Sequence, residues 1–194
     1  MDLTQGTNKE KNARAKKMML WFGIVSLIMG FAGWTSAYIV SSKRKDWLQT
    51  VELPQLFLVS TTVIVLSSLT FVLARMAMKK GATKMVTAWL LVTFGLGIAF
   101  IVLQFLGFNE MIMEYGYRFT GPTSNIKMSY VYLIAAVHIV HVVAGLLVLL
   151  GVTINHLRAK YTPEDHLGLE LGAMFWHFLD FLWVYLVLFM YFVK

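Results

Sequence analysis

MFWHFLDFLWVYLVLFMYF, residues 174–192, is apolar throughout except for His177 and Asp180. It approaches the roughly 20 consecutive apolar residues that a bilayer-spanning helix needs. An aspartate near the bilayer midplane costs roughly 2.5–3.5 kcal/mol even on translocon-insertion scales. Asp180 is therefore expected to face protein, and a second helix must answer it.

Four further stretches of spanning length precede this one. The five predicted spans are about 19–41, 53–74, 85–108, 129–154 and 171–193, joined by short polar connections. The whole chain of 194 residues is 58% hydrophobic and only 14% charged. Soluble domains run nearer 45–50% and 25%, so the expected fold is all-α: a polytopic membrane bundle of five transmembrane helices. Residues 1–18 read as a basic tail and 19–194 as the membrane domain. The first apolar run follows KEKNARAKK but is long enough to span and lacks a small-residue cleavage site, which argues against a cleavable signal peptide.

Charge gives the orientation. The formal charge of +7 lies in short runs between apolar segments, which fits topology signals and lipid headgroups better than nucleic acid. Eleven lysines and arginines fall on the side of the tail and of the loops 75–84 and 155–170. Six fall on the other: Lys43, Arg44, Lys45, Arg118, Lys127 and Lys194. The positive-inside rule places the amino terminus in the cytoplasm. With no cysteine, the chain itself supplies no disulfide, iron–sulfur cluster or thiolate haem ligand.

In the first span Gly23, Ser26, Gly30, Gly33 and Ala37 recur at spacings of three and four. Such a small-residue face lets helix backbones approach closely in lipid. It predicts a docking face for another helix, in this chain or a partner; small-residue enrichment common to membrane helices is the plainer alternative. The second span opens with Pro54, suited to a helix start. It carries Ser60, Thr61, Thr62, Ser67, Ser68 and Thr70, hydroxyls expected to bond their own backbone. Gln104, Glu114 and Tyr115, together with Trp176 and Trp183, are candidate lipid or interface contacts.

The polar residues within the spans suggest one cluster. His138 and His141 are three apart and share a helical face. Glu170 and His177 lie two turns apart on one stripe, with Asp180 a turn further. In antiparallel spans four and five, Asp180 and His141 come to similar depth. The expectation is a structural clasp of His138, His141, Glu170, His177 and Asp180, with Asp180 paired to His141. A proton relay is the other use of such a cluster. Two bis-histidine haems need more ligands than three intramembrane histidines; one haem or one metal stays open, and no metal site is assigned.

The motifs resemble a known family. WHFLDFLWVYLVLFMYF (176–192), with Glu170 ahead of it, closely resembles the last helix of subunit III of haem-copper cytochrome c oxidases. HIVHVVAGLL (138–147) resembles the helix before it. FAGWTSAYIV (31–40) and LPQLFLVSTTVIVLSS (53–68) resemble the first two helices shared across the family, and Gln104 with Glu114–Tyr115 the stretch after the middle one. The five spans match the short bacterial form. One departure is clear: where the family has a glutamate after a serine in that first helix, this chain has Ser26–Leu27. A proton-antenna role for that carboxylate does not carry over.

The resemblance implies a non-catalytic subunit that binds no haem or copper itself, with both expected in partner subunits. It implies packing on the catalytic subunit I beside other oxidase subunits, bound phospholipids, and support of proton uptake and durable turnover during oxygen reduction. A bacterial inner-membrane location follows; the donor, cytochrome c or quinol, and membership of a larger supercomplex stay open. The competing expectations are a redox-active membrane cytochrome, using His138, His141 or His177 as ligands, and a small channel, for which spans two and three offer few polar residues.

Overall fold

The computed structural model describes residues 7–45, 47, 54–121 and 124–193. Its helices are α1 (Asn8–Ser41), α2 (Gln55–Lys79), α3 (Thr83–Met113), α4 (Ile126–Leu157) and α5 (Leu167–Phe192). All five are long and apolar enough to cross a membrane. The chain is an all-helical, multi-pass membrane protein.

The first boundary differs from expectation. Residues 8–18, read as a tail, continue α1, while residues 1–6 and Lys194 lie outside the described residues. The reason is local. Thr7 and Glu10 form a reciprocal capping box, Thr7 N–H donating to Glu10 Oε2 at 2.9 Å and Glu10 N–H to Thr7 Oγ1 at 3.4 Å. This satisfies donors that a helix start leaves orphaned. At 34 residues α1 is about 51 Å long, well beyond the ~30 Å hydrocarbon layer. Its first turns therefore stand outside the membrane.

Helices α2 and α3 are joined by a tight turn in which Gly81 takes a φ of 70°, a left-handed conformation that only glycine adopts cheaply. After α4 the same kind of turn uses Ala159, at φ 53°. There Ala159 N–H donates to the His156 carbonyl and Lys160 N–H to that of Asn155, the paired bonds that close a Schellman helix end.

Helices α2, α3, α4 and α5 make a closed ring in which each touches two others of the four, while among the described helices α1 touches only α4 and α5. The ring's centre is aromatic. Trp176, Trp183, Phe57, Phe71 and Phe100 are fully buried, with Trp183 edge-on to Phe57 and Phe100 at 6.1 and 5.2 Å. Lipid tails are as apolar as leucine, so such helices are held by close packing and hydrogen bonds more than by water exclusion.

Glycine allows that closeness, at positions other than those anticipated. A Cβ on Gly97 of α3 would lie 2.8 Å from Trp176 Cη2, and one on Gly145 of α4 would lie 2.9 Å from Leu179 Cδ1. These two glycines cradle the Trp176 region. Gly23, Gly30 and Gly33 of α1 meet nothing within 4 Å. Gly97→Val should lower the unfolding free energy of the purified chain by about 1–3 kcal/mol through overpacking. Gly30→Val should leave it within about 0.5 kcal/mol. Denaturation in mixed micelles measures both.

Candidate functional site

The α2 hydroxyls explain how the ring closes. Ser60 and Thr61 both donate to the Phe57 carbonyl, at 2.9 and 2.6 Å, and Ser67 donates to that of Ile64 at 2.7 Å. Each has thus spent its one proton on its own helix, as expected, and presents lone pairs outward. Only donors fit there. Gln104 Nε2–H donates to Ser60 Oγ at 2.6 Å, Trp183 Nε1–H to Thr61 Oγ1 at 3.1 Å and Trp176 Nε1–H to Ser67 Oγ at 3.0 Å. Thr70 and Thr93 add a hydroxyl pair at 2.8 Å between α2 and α3.

Three residues assigned to lipid or interface contact are therefore core. Gln104, Trp176 and Trp183 are all buried. Their polar ends are used inside the protein, which an amphipathic side chain can do wherever a neighbour offers the complementary group. Glu114 is exposed and Tyr115 half-buried, its ring stacked on Tyr117 at 5.7 Å.

The anticipated single polar cluster divides into three places. Glu170 lies at the start of α5, 3.2 Å from Lys17 of α1 and 3.6 Å from His166 Nε2, so it ties the protruding part of α1 to α5. His177 faces α2, where Ser68 Oγ lies 2.5 Å from its Nδ1. Asp180 is buried beside Ser68, yet neither carboxylate oxygen has a hydrogen-bond partner among the described residues. His141 instead spends its Nδ1 on the Val137 carbonyl at 2.7 Å. The Asp180–His141 clasp is not formed. Helical spacing placed these residues at matching depth, but His177 turns toward Ser68 of α2, whereas His141 meets Phe31 of α1.

His138 is the most enclosed of the histidines. Its ring stacks on Trp183 at 5.0 Å and meets Phe100 and Phe31 edge-on at 6.0 and 6.3 Å. Both ring nitrogens are buried without hydrogen-bond partners among the described residues. His138, His141 and His177 also point into different interfaces. Among the described residues no three His, Cys, Asp or Glu side chains gather as a metal site would need.

Outside the ring, Gly23, Ser26, Gly30 and Gly33 are exposed and Ala37 is half-buried, while Ile24, Phe31, Thr35 and Tyr38 form the inward side of α1. Beside them an apolar groove of about 290 Å³ runs between α1 and α5, lined by Ile28, Phe31, Ala32, Phe178, Phe181 and Tyr185. Arranged this way, the chain offers rigid helices and an open small-residue face.

Comparison with known proteins gives one consistent answer. A family model described as Cytochrome c oxidase subunit III matches residues 17–194. Subunit 3 of the cytochrome bo(3) ubiquinol oxidase of Pseudomonas aeruginosa is 36% identical over 69% of this chain and 61% of its own length. The corresponding subunit of Buchnera aphidicola is 29% identical over 97% of this chain and 92% of its own length. Cytochrome c oxidase subunit 3 of Alkalihalophilus pseudofirmus is 30% identical over 68% and 62%. The aligned stretch thus spans about three fifths of two of these relatives and nearly all of the third.

Two outcomes test the site. Ser67→Ala should strand the Trp176 indole N–H and cost about 0.6 kcal/mol, and up to roughly 2. Asp180→Asn should leave the unfolding midpoint unchanged or raise it, because no partner is lost. A fall of more than about 1 kcal/mol would show that the carboxylate is engaged.

Proposed function

We propose, from the premise that this chain belongs to the cytochrome c oxidase subunit III family, that it is the non-catalytic subunit III of a respiratory haem-copper oxidase. It packs on the catalytic subunit, which with its other partners carries the haem and copper, and it supports proton uptake and durable turnover during oxygen reduction. The observation that carries this reading is the family match over residues 17–194, coincident with the membrane-spanning bundle. The relatives are named for ubiquinol in some cases and cytochrome c in others, so the proposal covers the subunit and not its donor.

The exposed face of α1 at Gly23, Ser26, Gly30 and Gly33 is the docking surface for the catalytic subunit in this reading. Nothing among the described residues covers it, and its Cα positions are open to a close helix. Bound phospholipid lays its acyl chains in the apolar groove between α1 and α5. The membrane is the bacterial inner membrane, with the amino terminus cytoplasmic on the lysine and arginine count. Leu27 stands at the family's glutamate position, so proton uptake here draws on no carboxylate from that site.

The redox-cytochrome reading is not favoured. It needs histidines that converge on one group, whereas His138 stacks on Trp183, His141 bonds its own helix and His177 faces Ser68 of α2. Extraction of the complex from native membranes in mild detergent separates the two. Haem absorbance should co-purify with large partner subunits and be absent from the isolated chain; a Soret band that stays with the chain alone would overturn the proposal. Gly30→Leu should abolish co-purification of the partners while the isolated chain melts as the unaltered one does. Retained association would exclude this face of α1 as the contact.

A further inference from the structure

The protruding turns of α1 do not stand free. They lean over the α4–α5 connection, held there by Lys9–Asp165 at 2.7 Å and Lys17–Glu170 at 3.2 Å. Between these struts lies a polar cavity of about 530 Å³. Lys9, Asn12 and Lys16 of α1 form one wall; Asn155, Lys160 and Tyr161 form the other. The left-handed turn at Ala159 is what brings Lys160 and Tyr161 to it.

The lining is rich in donors and short of acceptors. Three ammonium groups face one carboxylate, Asp165, and that carboxylate is already taken by Lys9. Among the described residues Lys16 and Lys160 have no ion-pair partner, so two like charges border one cavity. Two amides and a phenol add neutral donors at the same place. Asn155 bonds Tyr161, and burial raises the Tyr161 pKa, so its hydroxyl keeps its proton. Gly168 seals the floor: any side chain there would strike the Tyr161 hydroxyl. Flexible ammonium groups with amide and hydroxyl donors suit a compact, multiply charged oxyanion. The cavity sits where α1 leaves its apolar stretch, the depth at which lipid phosphates lie.

We propose that this cavity is a phosphate-binding site, filled by the headgroup phosphate of an anionic phospholipid or by free inorganic phosphate. Lys16 and Lys160 supply the charge, and Asn12, Asn155 and Tyr161 orient the oxygens. Lys9, Asn12 and Lys16 precede residue 17, where the family match begins, so one wall is built by residues beyond the family's shared core. The site needs only the membrane-spanning fold, and its test reads lipid retention and not oxygen reduction. Its failure would leave the oxidase-subunit reading standing, and the converse holds.

The full-length chain, reconstituted in phosphatidylcholine vesicles with a few per cent of spin-labelled phosphatidylglycerol, gives the test. The label should be immobilised in preference to spin-labelled phosphatidylcholine. Lys16→Gln and Lys160→Gln should each weaken that preference about fivefold. The pair Lys79→Gln and Lys80→Gln removes equal charge from exposed positions on the same end of the bundle and should leave it intact. Inorganic phosphate distinguishes the sources. If millimolar phosphate does not displace the label, the occupant is the lipid headgroup. If phosphate displaces it and is itself retained on dialysis by the unaltered chain but not by the Lys16→Gln, Lys160→Gln double variant, the occupant is the free anion. Equal losses in both double variants, or no preference in the unaltered chain, would overturn the site and leave only diffuse surface charge.

Discussion

Inside a bilayer a polar hydrogen has no water to turn to, and the arrangement of this bundle follows from that constraint. The α2 hydroxyls meet it in two steps. Ser60, Thr61 and Ser67 first give their protons to carbonyls of their own helix, and the lone pairs left over then receive Gln104, Trp183 and Trp176. The donors come from α3 and α5, so these bonds fix the rotation of both helices about α2. Ser68 is the exception that makes the point. It forms no such bond to its own helix among the described residues, and its neighbour is an imidazole nitrogen that can accept as well as donate.

What could be read from the residues divides along a physical line. Hydropathy is a property of each segment alone, so all five spans were legible, and so was the backbone-directed role of the α2 hydroxyls. The capping box that lengthens α1 was also written in Thr7 and Glu10, a threonine followed three residues later by a glutamate, but the charge of the tail obscured it. Which neighbour a face meets is a property of the assembly. Spacing put His177 and Asp180 on one stripe and at the depth of His141, yet could not say that His177 would turn to Ser68 of α2. Trp176 and Trp183 looked like interface residues because tryptophan commonly is; the acceptors that draw them inward lie about 110 to 120 residues away. The same holds for glycine. The regular spacing in α1 drew notice, whereas Gly97 and Gly145, which follow no such repeat, make close contacts within the ring.

In the proposed reading, a subunit of this kind contributes stiffness and surface. The stiffness resides in the ring, where Trp176 is wedged between Gly97 and Gly145 and Trp183 is stacked on His138. The surface resides in α1, whose inward side is committed to α4 and α5 and whose outward side is unobstructed. Leu27 fits this division. A carboxylate in that helix would have needed a partner in the membrane, and a leucine needs none.

The ring closes without α1, and this sets the order of synthesis against the order of packing. Helix α1 leaves the ribosome before the other four helices, yet the helices it touches among the described residues, α4 and α5, begin at residues 126 and 167. At typical translation rates of about 5–20 residues per second, it waits in the bilayer for several seconds to tens of seconds before either exists. A helix in that position must tolerate lipid on every side. Thr35, the buried polar residue of α1, donates to the Phe31 and Ala32 carbonyls of its own helix, so it is satisfied before any partner arrives. Newly made α1 is thus a free-standing anchor. Its capture follows the synthesis of α4 and α5, with Tyr38 reaching across to the carbonyl of Val193, just beyond the end of α5.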